Sequence, residues 1–274
     1  MVYELEKEKF HLLAPLLGPE TNMMAKAVVQ RINPGWVFVD DLTTPQTALI
    51  WSKGIEGFFF LGEHRNKSFN KQISNFIEKM IRPRAYEQGL EWFEVSGDSR
   101  DWDETIETIF DNRKIAKSLQ RVYRYNSDTP LPNPGNYLPV GYTLARIEPN
   151  LMEMKGLENK EFVFNKIHQF WDTEERFFQQ GLGFYILFEN QIVSVCLSAF
   201  VSDNVHSIEI ETLDGHKRKR LAESLVNKYV NFCIEKGFSP YWDAMEENVP
   251  SCKLAEKIGF DIDFVYKLYG FSLV

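Results

Sequence analysis

Cysteine is scarce, with three residues, Cys196, Cys233 and Cys252, in a chain of 274. The number is odd and the spacing wide, and each lies in or beside an apolar stretch. They read as reduced core residues of a cytoplasmic protein rather than a disulfide framework. No Cys, His, Asp or Glu spacing of the metal-binding kind occurs, so no metal is expected. No apolar run approaches the ~20 residues of a membrane-spanning helix, so no membrane partner is expected. The opening MVYELEKEKF is charged and lacks the apolar centre of a secretory signal. Positive charge is also in deficit: 31 Lys and Arg stand against 39 Asp and Glu, a net charge of −8. That excludes a general nucleic-acid binder, for which a basic domain is expected.

What is present is the composition of a globular protein, 44% hydrophobic and 26% charged, long enough for one large or two modest domains. Pro130, Pro132, Pro134 and Pro139 crowd into residues 127–139. Such a density forms neither helix nor central strand, and marks a linker between residues 1–126 and 140–274. In the first part the pattern predicts helices over 3–17 and from a cap at Thr21 to Ile32. Strands follow at 36–40, 47–52 and 57–61, a helix at 68–81, a strand at 90–95, a helix at 102–109 and a strand at 122–125. In the second part a strand at 142–147 precedes helical stretches at 150–159 and 160–171. A short helix capped by Thr173 comes next, then a hairpin of 184–188 and 192–200. The tail from Asp261 is β-prone, with Gly270 as a break.

The chain is organised around residues 205–260. Ser207 to Thr212 alternates, with Ile208 and Ile210 on one face and Glu209 and Glu211 on the other, which predicts a strand. A polar turn follows. From Arg220 the apolar residues Leu221, Leu225, Tyr229 and Phe232 recur at helical spacing until Gly237. A strand feeding a loop and then a helix N-terminus collects unpaired N–H groups and the positive end of a dipole, which suits a phosphate. Lys217, Arg218, Lys219 and Arg220 crowd that turn. Cations at a helix N-terminus are unfavourable by about 0.3–1 kcal/mol each, and a bound anion reverses the sign. A solvated basic turn is the alternative.

These residues resemble the cofactor-binding core of the GCN5-related N-acetyltransferases (GNAT). The loop motif of that superfamily, [Q/R]-x-x-G-x-[G/A], falls in register with Lys217-Arg218-Lys219-Arg220-Leu221-Ala222. Lys217 replaces Gln/Arg, Arg220 replaces the middle glycine, and Ala222 fits. A second motif, N-x-x-S/A-x-x-L-x-x-x-x-G-F, is met by Asn248, Ser251, Leu254, Gly259 and Phe260 after a strand at 240–244. The two-part length and Trp171…Gly181-Leu182-Gly183 are similar to the subgroup with zwittermicin-type antibiotic resistance acetyltransferases. The resemblance implies an α/β (α+β) fold. Its mixed, mostly antiparallel sheet is flanked by helices in 140–274, and residues 1–126 form a degenerate half without the loop motif.

It also implies acetyl-CoA (coenzyme A) as cofactor. The cofactor would be held by the backbone of Glu211, Thr212 and Leu213, by Lys217, Arg218, Lys219, Arg220, Leu221 and Ala222, and by Asn248 and Ser251. The acceptor would be the amine of a small molecule, an antibiotic or polyamine-like compound among the candidates. Such an amine is mostly protonated at neutral pH and must lose a proton before attack. Glu209 and Glu211 are the candidate proton acceptors, and Asn248 or Ser251 the candidate donors to the leaving thiolate, with Tyr266 and Tyr269 as others. Two ordinary carboxylates on an exposed strand face are the alternative. Asp172, Glu174 and Asp243 are further carboxylates for the substrate ammonium. His168 and His206 are either bases or structural, and Trp171, Phe177, Phe178 and Trp242 line either a pocket or the core. No activated Cys–His pair is visible, so direct transfer in a ternary complex is expected. The alternatives from other classes are a catalytically silent acyl-CoA-binding or sensing protein and a nucleic-acid module using the basic run. The chain is expected as monomer or homodimer.

Overall fold

A computed structural model describes residues 1–55, 57–126 and 138–274. Twelve strands are named in chain order: β1 Tyr3–Leu5, β2 Gly35–Val39, β3 Thr47–Ser52, β4 Gly57–Gly62, β5 Trp92–Gly97, β6 Ala116–Tyr125, β7 Tyr142–Arg146, β8 Gly183–Phe188, β9 Gln191–Ser202, β10 Val205–Thr212, β11 Ser239–Met245 and β12 Phe260–Ser272. The α-helices are α1 Met23–Val29, α2 Lys67–Phe76, α3 Arg82–Glu87, α4 Asp101–Ile109, α5 Lys160–Phe170, α6 Glu174–Gln180, α7 Leu221–Lys236 and α8 Val249–Ile258. The chain divides into two compact units, residues 1–120 with 266–274, and residues 121–265.

In the first unit β1 to β5 lie side by side in sequence order, and the end of β12 is next to β5. All these pairs are antiparallel except β4 with β5. A row of rings crosses this sheet. Trp51 stacks on Phe58 (5.1 Å between centroids), Phe58 on Phe93 (4.1 Å) and Phe93 on Phe271 (4.9 Å). Each such pair adds about 0.5–1.5 kcal/mol beyond the area it buries. Phe69 and Ile73 of α2 and Trp102 and Ile106 of α4, at helical spacing, close the same core.

In the second unit the order is β11-β10-β9-β8-β7. Only β10 with β11 is parallel. Leu221, Leu225, Tyr229 and Cys233 of α7 pack on this sheet with Phe184, Val193, Cys196 and the half-buried Ile208 and Ile210. The face of β10 that carries Ile208 and Ile210 is therefore the core face, as its alternation predicted. Mixed sheets flanked by helices are the fold class expected from the sequence.

The structure departs from the sequence reading in five places. The helical stretch expected at 150–159 is a 3-10 turn, Pro149–Glu153, with no helix over 154–159. The helix expected at 3–17 is strand β1 followed by a 3-10 turn, Lys7–Leu16. Pro15 and the pairing of Tyr3–Leu5 with Val37–Val39 account for this. The cap of α1 is Asn22, whose side chain accepts the Met24 N–H, not Thr21. Gly270 does not break β12: a Cβ there would lie 2.4 Å from Nε1 of Trp92, so the glycine makes room for an indole. The expected division into 1–126 and 140–274 also differs, because residues 266–274 belong to the first unit and 121–126 to the second. Most of the expected linker, 127–137, lies outside the described residues.

Candidate active site

The site builds from β10. Its register with β9 shifts between His206 and Ile208, a bulge that bends the strand. On its other side β10 pairs with β11 through Val205↔Ser239, His206↔Pro240 and Ser207↔Tyr241, and no registered pair follows. Residues 208–212 continue along β9 alone. The bulge is held from beneath. His206 is buried and stacks on Phe238 at 4.4 Å, and its Nδ1 lies 3.1 Å from Oγ of Ser198. That hydroxyl also meets the Tyr229 hydroxyl at 2.8 Å and accepts the Leu182 N–H. Burial pulls the His206 pKa down to about 4. His206 is thus a neutral structural residue.

The expected backbone donors separate by strand geometry. The Leu213 N–H donates to the Val193 carbonyl at 2.9 Å, so the donor expected at Leu213 is already engaged. In an antiparallel ladder donors alternate sides, so Glu211 turns its N–H towards β9 while Ile210 and Thr212 turn theirs to the unpaired side. The Thr212 hydroxyl is 2.6 Å from Oγ of Ser194, which donates to the Glu211 carbonyl.

Past Thr212 comes a short 3-10 turn, Asp214–His216, and then the basic run. Arg218 (φ 63°) and Arg220 (φ 61°) both adopt the left-handed region. This explains the glycine in the motif: the position before α7 needs positive φ, and here an arginine takes it at a cost of about 1 kcal/mol. Arg220 places no side-chain cap on α7, so the leading N–H groups of the helix lack a capping side chain, and Arg218 and Arg220 beside them are exposed. Lys217 pairs with Asp214 at 2.6 Å. Lys219 is the anchor of the loop. It donates to the Tyr142 hydroxyl at 2.8 Å, and that hydroxyl lies 2.8 Å from Nδ1 of His216. Partial burial and the Lys219 charge lower the His216 pKa, so the neutral ring accepts from Tyr142. Sequence reasoning missed Tyr142, because β7 is 77 residues from Lys219 along the chain and no local pattern marks it.

The corresponding β4–α2 turn in the first unit is closed by its own side chains. Asn66 caps α2 by accepting the Phe69 N–H, and its amide donates to Asp40 (2.7 Å) and to the Thr47 hydroxyl (3.0 Å). The Gly62 N–H donates to the Asp98 carboxylate, and Asp98 N–H in turn reaches the Phe60 carbonyl, extending the β4–β5 pairing. The cap and these two bonds engage the Phe69, Gly62 and Asp98 N–H groups within the unit itself.

Glu209 and Glu211 share the face of β10 opposite α7, and one lysine from α5 holds both. Nζ of Lys166 is 3.0 Å from Oε1 of Glu209 and 2.7 Å from Oε2 of Glu211. Burial raises the Glu209 pKa, and Lys166 only partly restores it. Asn248 and Ser251 work within α8: Oδ1 of Asn248 accepts the Ser251 N–H (3.3 Å), and Oγ of Ser251 accepts the Trp242 indole N–H (3.0 Å). The other candidates are placed elsewhere. Tyr266 receives the Asn22 amide and Tyr269 donates to Glu107, both in the first unit. His168 meets Glu174 at 3.1 Å, Trp171 donates to the Ser198 carbonyl from the core, and Phe177 is buried. Leu221 is core, while Ala222 follows it in the first turn of α7.

A strand that parts from its parallel neighbour and feeds an uncapped helix, within a mixed sheet flanked by helices, is the architecture of the GCN5-related acetyltransferases. A family model for GNAT acetyltransferases matches residues 14–269, and the chain belongs to that family and is an acetyltransferase. It is 26% identical over 277 residues to a Bacillus subtilis (strain 168) protein named uncharacterized N-acetyltransferase YdfB, with 98% of each chain covered. Its fold is similar to a GCN5-related N-acetyltransferase-like protein from Streptococcus suis 89/1591 (TM-score 0.68, 22% identity, 96% of this chain and 98% of that one). It is also similar to a tandem GNAT protein from the clavulanic acid biosynthesis pathway (TM-score 0.61, 10% identity, 100% and 99%). Among the described residues no helix is long and apolar enough to cross a membrane.

Proposed function

We propose that the chain transfers an acetyl group from acetyl-CoA to the amine of a small molecule by direct attack in a ternary complex. The observation that carries this is the β10–α7 turn, where an uncapped helix start and two left-handed arginines without a partner among the described residues face solvent together. When bound, acetyl-CoA supplies an acetyl thioester. The N–H groups of Leu221 and Ala222, with Arg218, Arg220 and Lys217, are suited to its diphosphate. The Ile210 and Thr212 N–H groups on the open side of β10 are suited to pantetheine and to the thioester oxygen. Glu209, made more basic by burial, takes the proton from the acceptor amine, directly or through water. Asn248 and Ser251 flank the opening from α8, where the Ser251 hydroxyl keeps its proton to give.

No acyl-enzyme is invoked, since all three cysteines are buried and burial pushes the Cys233 thiol up to about 12. Buried free thiols also support a reducing, cytoplasmic setting. The first unit serves as a supporting half that binds no cofactor, in keeping with the capped β4–α2 turn. Isothermal titration with acetyl-CoA tests the assignment. Exchanging Lys217 and Arg220 for Glu is expected to weaken binding at least about tenfold, the equivalent of ~1.4 kcal/mol. Unchanged affinity would refute it.

A further inference from the structure

Lys166 is the feature of this site that neither motif contains. It projects from α5 between Glu209 and Glu211, and its side chain is only 18% exposed, against 28% for Glu209 and 44% for Glu211. Its third contact is Oε1 of Gln169, at 3.3 Å. Two carboxylates on one strand face, two residues apart, repel each other, and burial of one sharpens the conflict. A single ammonium bonded to both removes it.

We propose that Lys166 is a positioning residue for acetyl transfer, the fixed counter-ion that keeps Glu209 ionised and aimed as the proton acceptor while Glu211 completes the clamp. This rests on the reading of Glu209 as the base.

The surroundings of Glu209 agree. From α5 it meets Lys166, with Gln169 beside that lysine; from its own strand it meets Glu211; from β9 it lies near the buried Cys196 thiol. On β11, Tyr241 and Asp243 are hydrogen-bonded to each other, and the register with β10 ends at Tyr241. Lys166 is thus the cation bonded to Glu209 among the described residues. Burial acts to lower the lysine's own pKa, and the two carboxylates outweigh it, so the ammonium stays charged at working pH. The tension on Glu209 is functional: burial makes it a stronger base than a surface carboxylate, and Lys166 prevents burial from protonating it outright.

The experiment compares K166M, K166R and K166Q with the unaltered chain. Carbon-detected NMR titration of labelled glutamate side chains follows Glu209, assigned with E209Q. In K166M and K166Q the Glu209 titration is expected to move up by about 1–3 pH units, the effect of losing an adjacent opposite charge, and to stay near its original position in K166R. With acetyl-CoA and an accepted amine, the acidic limb of kcat/KM against pH is expected to move with it, while acetyl-CoA affinity is retained. A Glu209 titration unmoved in both K166M and K166Q overturns the proposal. If Glu209 does move but E209Q leaves the pH profile intact, Glu209 is not the base, and the reading beneath the proposal fails instead. K166R keeps the test decisive should the neutral variants fail to fold: a Glu209 titration displaced by about 1–3 pH units in K166R, where the cation is retained, also overturns it.

Discussion

His206 shows how one buried side chain serves the site without touching it. It sits under the β10 bulge, bonded to Ser198 and stacked on Phe238. Its pKa is about 4 in the folded chain against about 6.5 unfolded. The unfolded chain therefore binds the extra proton first, and stability falls as pH drops from about 6.5 towards 4. The full difference is about 3 kcal/mol. In urea unfolding at pH 7 and pH 5, H206Q should lose this part of the pH dependence while the carboxylates still contribute theirs. An identical slope for both proteins would show that His206 is not held neutral. Arg220 shows the opposite economy, a strained residue where glycine would relax the backbone, set at a helix start without a side-chain cap.

At the scale of elements, two strand–loop–helix units use the same parts differently. The β4–α2 turn ends in a side-chain cap with two further hydrogen bonds from the Asn66 amide. The β10–α7 turn has no side-chain cap and ties its loop down with Lys219 and Tyr142 instead. N66A should cost about 1–2 kcal/mol in chemical denaturation, the range of a lost N-cap with its partners, and leave acetyl-CoA affinity unchanged. A loss of affinity in N66A would mean that the first unit takes part in binding after all.

At the scale of the molecule, the chain does not divide at its proline cluster. Phe271 and Leu273 lie in the first core, and β12 pairs with β5 through Tyr269↔Val95 and Phe271↔Phe93. A fragment of residues 1–126 lacks that strand and leaves Phe93 and Phe110 without the Phe271 ring, one of those they pack on. It is expected to show no cooperative unfolding and little near-ultraviolet dichroism, whereas the full chain shows both. Cooperative melting of 1–126 alone would contradict the role given to β12.

The sequence by itself determined most of what is local. Alternation marked β10 and its core face, and apolar spacing and Gly237 bounded α7, because each signal lies within a few residues of its effect. The two motifs carried the acetyltransferase assignment for the same reason. Tertiary structure alone decided the rest. It placed Lys166 against Glu209 and Glu211, 43 or more residues away, and Tyr142 against the basic loop. It turned Gly270 from an expected break into a packing site, and gave residues 266–274 to the first unit. Those outcomes depend on which surfaces meet, and the choice between competing burials is made by the folded chain as a whole, not by any window of its sequence.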